Sequence, residues 1–173
     1  MSSQPKEKCH LTEIHCPKSL GATLRGDQEE PAVETTAEGI GSFHLSKNHK
    51  KLKFSIKVTN LSSQLTAAHF HQGGVGTNGP ILRPIKFKQK GPCWVAEGCW
   101  KDDDLENPFN SRAVALLLTG GIYVNVHTEQ HPQGEIRGQI FVCDDEDYEK
   151  NPKKQLCSSC CQLERGDMYG WEN

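Results

Sequence analysis

From Lys51 to Val58 the sequence alternates lysine or serine with Leu52, Phe54, Ile56 and Val58. Successive side chains of a β-strand point to opposite faces, so this period gives one apolar face and one solvated lysine face. The same period recurs in Leu20, Ala22 and Leu24, in Thr66, Ala68 and Phe70, and in Ile122, Val124 and Val126. It appears once more in Ile136, Ile140 and Val142, following the loop Glu129–Gly134. Gly39–Ser46 and Lys51–Val58 read as a hairpin across Lys47–Lys50, and Pro84 confines the stretch Pro80–Phe87 to a sheet edge. One segment departs from the pattern: Asn110 or Ser111 caps a short helix running to about Thr119, and Gly120-Gly121 ends it. The expectation is an all-β chain with a two-layer interior and a single short helix.

The 173 residues suffice for one such domain with appended segments. Residues 1–19 read as a cysteine-bearing arm, 20–143 as the β domain, and 144–173 as an acidic linker with a cysteine-bearing tail. Eight cysteines suit an oxidising compartment and a disulfide-stapled fold. Cys93 and Cys99 bracket a short strand, where they can pair with each other or each staple outward. The opening MSSQPKEK has no apolar core of a signal peptide, so the chain reads as a secreted, extracellular protein whose signal has been removed. Net charge is −2, which leaves no broad basic field for nucleic acid or anionic lipid. No run of 18 apolar residues is present, so nothing is predicted to span a membrane.

The chemistry gathers in Thr66–Gly79, TAAHFHQGGVGTNG. Phe70 enters the core, and His69 and His71 leave on the opposite face. Residues two apart on a strand sit roughly 6.5–7 Å apart at Cα, which lets two imidazoles converge on one ion. The Gly/Asn-rich run that follows permits a tight turn. In the strand Ile122–Thr128, Tyr123, Asn125 and His127 point outward, bringing a third imidazole to the same face. Three neutral nitrogens suit copper, or zinc. His131, four residues on, is a candidate fourth ligand. Glu135 is a candidate to orient an imidazole through its free N–H, and Arg137 to guide a small anion to an open position. The competing reading makes the histidines structural, with Glu135 and Arg137 a plain ion pair.

Other motifs carry less. His44 and His49 read as surface residues, and Asp102–Asp104 as a solvated acidic loop without the glycine and glutamate of a calcium loop. Cys9, His10, His15 and Cys16 match no zinc spacing. Arg165-Gly166-Asp167 spells an integrin-type tripeptide that arises readily by chance. No nucleophile elbow and no phosphate-binding loop is present.

The blocks LRGDQEEPAVETTAEGIGSF, AAHFHQGGVGTNGPI and LLLTGGIYVNVHTEQHPQGEIRGQI together resemble the chordin-type (CHRD) domain, over roughly Leu20–Val142. That resemblance implies a secreted, antiparallel β-sandwich. It also implies an extracellular module able to engage a protein partner, a growth factor of the TGF-β/BMP class or a matrix component. A fainter likeness, carried by the His-x-His strand, the later histidine strand and the downstream Gly-x-x-Arg-Gly, is to the copper half of the Cu/Zn superoxide dismutase sandwich. It implies a Greek-key topology and a copper site at His69, His71 and His127, with Arg137 beside it. If enzymatic, such a site would be a copper-dependent oxidoreductase acting on superoxide. Between His71 and Cys93 there is no histidine to build that enzyme's zinc half.

Overall fold

A computed structural model describes residues 19–143. The expectations for the cysteine-bearing arm and for the C-terminal tail fall outside the described residues. The described residues form ten strands and one helix: β1 (Ser19–Arg25), β2 (Glu38–Leu45), β3 (Lys51–Thr59), β4 (Leu65–Gln72), β5 (Ile81–Pro84), β6 (Lys88–Lys90), β7 (Cys93–Lys101), α1 (Ser111–Leu118), β8 (Ile122–Thr128), β9 (Ile136–Gln139) and β10 (Phe141–Cys143). A 3-10 turn at Gly26–Gln28 follows β1.

All strands join in one antiparallel sheet in the order β5-β4-β8-β9-β1-β2-β3-β7-β6, with β10 paired to β1. This corrects the two-layer sandwich expected above. The alternating pattern fixes which residues face inward, but a sheet curled on itself buries an inner face as well as two stacked sheets do. The curl is visible in the core. Phe70 of β4 stacks on Trp100 of β7 at 5.3 Å, although five strands separate β4 from β7 in the sheet. Phe43 and Phe54 meet Phe70 edge-on at 6.1 and 5.2 Å. Near one end, Arg83 of β5 forms an ion pair with Asp104, just past β7. The result is a half-barrel whose concave side is filled by Leu24, Leu52, Ile56, Val58, Phe70, Val124 and Ile136.

The hairpin, the edge strand and the helix lie where the pattern puts them. β5 is an edge strand. The Asn110 side chain accepts from the Ala113 N–H at 3.0 Å, satisfying one of the free donors at the helix start. His44 and His49 are exposed. Of the two arrangements open to Cys93 and Cys99, pairing with each other is not what the structure has: no disulfide is seen among the described cysteines. Cys93 and Cys99 stand six residues apart on β7, a span of roughly 20 Å at about 3.3 Å per residue, well beyond the ~7 Å between Cα atoms that a disulfide bridges. Among the described residues no helix is long and apolar enough to cross a membrane.

Candidate metal centre

β4 and β8 run side by side, with His69 opposite Asn125, His71 opposite Tyr123, and Ala67 opposite His127. Paired residues of a sheet share a face, so all three imidazoles stand on the convex side, with His127 diagonal to His69. The ring centroids lie 5.5 Å apart for His69–His71, 5.3 Å for His69–His127 and 6.5 Å for His71–His127. One nitrogen from each ring falls within 4.8 Å of the others, forming a group that could hold a metal ion.

At His71 and His127 the hydrogen bonds fix which nitrogen is left free. His71 Nδ1 donates to the Gly79 carbonyl at 2.9 Å, and His127 Nδ1 donates to the Pro132 carbonyl at 3.0 Å. A carbonyl only accepts, so both rings carry their proton on Nδ1 and present a bare Nε2. Those two Nε2 atoms and His69 Nδ1 are buried and have no hydrogen-bond partner. A buried polar atom left unpaired costs about 1–3 kcal/mol, and three of them converging on one point is the arrangement expected of ligands. Three nitrogens bound at about 2.1 Å to one ion stand roughly 3.4–3.6 Å from one another, so an inward movement of up to about 0.7 Å by each ring would complete the set. Burial lowers the pKa of all three imidazoles. At His69 the neighbouring His127 and His71 add to this, and at His71 and His127 the carbonyl hydrogen bonds partly oppose it. The rings are thereby held neutral, as a metal ligand must be.

Two loops position these rings. The Gly/Asn-rich loop after β4 folds back so closely that a Cβ on Gly79 would stand 1.8 Å from the Gln72 carbonyl oxygen; only glycine fits there. Gln72 N–H donates to the Pro80 carbonyl, which locks the turn. At the other loop Gly134 has φ +130°, and a Cβ there would meet Asn125 Nδ2 at 2.5 Å and Glu29 Oε1 at 2.6 Å.

The remaining expected site residues are not brought to the three nitrogens. The His131 ring is outside the group; its backbone instead closes the loop, donating to the Thr128 carbonyl and accepting from Gly134 N–H. Glu135 is fully buried, and its carboxylate accepts from Thr35 Oγ1, Ser62 N and Oγ, and Thr128 Oγ1. Burial pushes that carboxyl up, but the hydrogen bonds outweigh it and hold it below the ordinary range. It is a clasp between three loops and not an imidazole partner. Arg137, 1 % exposed, donates to the Gly74 and Thr77 carbonyls, to Asn78 Oδ1 and to Gln139 Oε1. Its guanidinium lies over the Tyr123 ring at 3.6 Å.

Periodicity places Tyr123 and Asn125 outward but gives no sign of their part in the site. Tyr123 stacks on His71 at 5.0 Å, and its hydroxyl accepts from Gly79 N–H at 3.2 Å. Asn125 Nδ2 donates to both oxygens of Glu29. Glu29 is 6 % exposed, and burial raises its pKa to about 7 against the opposing pull of Arg137. The available signal was the strand itself: a tyrosine and an asparagine interleaved with a histidine on a face otherwise read as solvent.

The sequence pattern of the CHRD domain matches residues 20–140. The chain belongs to the CHRD-domain family. Chordin from Xenopus laevis is similar to it, at 31 % identity across 72 % of this chain. The match covers 13 % of chordin's own length, so this CHRD chain corresponds to a small part of that protein.

Proposed function

We propose that this CHRD-domain protein is a secreted copper-binding protein, with His69 Nδ1, His71 Nε2 and His127 Nε2 as ligands. The observation that carries the reading is the convergence of three buried nitrogens lacking any other partner. A nitrogen-only set of neutral imidazoles suits copper or zinc over magnesium or calcium, and copper(II) binds such sites more tightly than zinc. The carbonyls of Gly79 and Pro132 supply the outer hydrogen bonds that ligating histidines require. Binding or sequestration is favoured over superoxide chemistry, because Arg137 is 1 % exposed and its Nη2 is engaged by the loop carbonyls of Gly74 and Thr77, so its fork is not presented to an anion arriving from solvent.

The test is metal analysis of the untreated protein, followed by the His69→Ala/His71→Ala variant. One equivalent of copper, lost in the variant, is the expected result. Metal-free protein that remains as stable in the double variant would refute it, and would leave the extracellular protein-binding module with structural histidines that the CHRD resemblance implies.

A further inference from the structure

We infer that Arg137 biases the metal centre toward a monovalent ion, Cu(I) over Cu(II), acting through the Tyr123 ring as a positioning residue and not as a ligand or substrate contact. This rests on the copper reading above. β8 lies between β4 and β9 in the sheet. His71 of β4 and Arg137 of β9 therefore approach Tyr123 from opposite sides. The imidazole is stacked 5.0 Å away at 8°, and the guanidinium carbon stands 3.6 Å from the ring centroid.

Three features make this stack consequential. Arg137 is 1 % exposed, so solvent does little to screen its charge. Its hydrogen bonds go to carbonyl oxygens and amide side chains, and no carboxylate forms an ion pair with it among the described residues. Glu29, whose carboxyl does feel Arg137, has its own hydrogen bonds directed to Asn125. A fixed positive charge thus sits behind an aromatic face whose other side rests on a ligand imidazole.

A cation on one face of a π-system draws electron density toward itself. Density drawn from Tyr123 leaves its opposite face a poorer neighbour for a ring donating to a dication. The field of the guanidinium acts in the same direction, disfavouring the ion of higher charge. An elementary charge about 10 Å from the ion, at an effective dielectric near 20, corresponds to roughly a tenfold change in relative affinity. The same Arg137 secures the carbonyls of Gly74 and Thr77, so it also holds the loop that carries Gly79 onto His71. Loosening that loop weakens both ions alike, whereas removing the charge separates them.

The experiment titrates the full chain with copper alone, in competition with a Cu(I) chelator and separately with a Cu(II) chelator. Wild type is compared with Arg137→Met, Tyr123→Leu and Asn78→Ala. The ratio of Cu(I) to Cu(II) affinity is expected to fall roughly tenfold in Arg137→Met and by a smaller factor in Tyr123→Leu. Asn78→Ala, which loosens the loop with no change of charge, is expected to leave the ratio unchanged. If Arg137→Met does not fold, Arg137→Gln retains a donor for the loop carbonyls and carries the same comparison. Wild type that binds copper, with an unchanged ratio in the Arg137 variant, overturns the role given to Arg137 while leaving the site intact. Wild type that binds neither ion overturns the copper reading and this inference together.

Discussion

The Tyr123 ring lies 5.0 Å from the His71 imidazole and within 8° of parallel to it. The same tyrosine hydroxyl accepts from Gly79 N–H, while the Gly79 carbonyl accepts from His71 Nδ1. One residue of β8 therefore fixes both the plane of the His71 ring and the loop that selects its tautomer. The three-histidine group is held from behind by sheet and loop, and its bare nitrogens would need no reorganisation of protonation to receive an ion.

Tyr123→Phe separates the two parts of this arrangement. The stack persists and the hydroxyl contact with Gly79 is lost, a neutral hydrogen bond contributing about 1 kcal/mol. Copper affinity is expected to fall about fivefold in a competition titration, with one equivalent still bound. An unchanged affinity would mean that the Gly79 turn holds His71 without help.

Glu29 gives a pH dependence of definite sign. Its pKa is raised from 4.5 to about 7 on folding, because burial disfavours the carboxylate. The folded state therefore holds a proton that the unfolded state releases, and stability contributed by Glu29 is full below pH 4.5 and lost as the pH climbs through 7. Glu29→Gln is expected to be more stable than wild type by on the order of 1–3 kcal/mol at pH 8, with the difference shrinking toward pH 5. Denaturant melts of both proteins across that range check it; a difference independent of pH contradicts it.

The three imidazoles act in the opposite sense. Burial depresses their pKa values below 6.5, helped at His69 by His127 and His71 and at His71 by His127 and Arg137. In the metal-free protein the unfolded chain takes up these protons first, so stability is full above pH 6.5 and declines as the pH falls through the lower folded-state values. The triple variant His69→Gln/His71→Gln/His127→Gln is expected to show a shallower loss between pH 7 and pH 5. An equally steep loss would place the acid sensitivity elsewhere.

Phe70 and the histidines flanking it show how much of this was legible in the residues. Strict alternation sends Phe70 inward and His69 and His71 outward, and the same logic carries His127 to their side. What alternation does not encode is what lies over the outward face. Tyr123, Asn125, Arg137 and Gln139 read as solvent-facing, yet each is 4 % exposed or less, beneath the loops that carry Glu29 and the Gly73–Gly79 run. Those covers depend on backbone approaches such as Gly79 against Gln72 and on long-range polar contacts, and neither has a period. The sheet order was illegible for a related reason. An inward face says nothing of whether its far edge curls round to meet it, as β7 does when Trp100 reaches Phe70.

That meeting is itself testable. Phe70→Ala removes the ring that stacks on Trp100 and contacts Phe43 and Phe54. A loss of about 3–5 kcal/mol is expected, as for a buried phenylalanine whose cavity cannot fully collapse. A loss below about 1 kcal/mol would mean that the two arms of the half-barrel do not depend on this contact.

The most direct measurement is anomalous diffraction at the copper edge from crystals of the copper-loaded protein. The account predicts a single peak within bonding distance of His69 Nδ1, His71 Nε2 and His127 Nε2, with Gly79 and Pro132 still accepting from the two Nδ1 atoms. A peak at other residues, or none while the three rings keep their present positions, would contradict it.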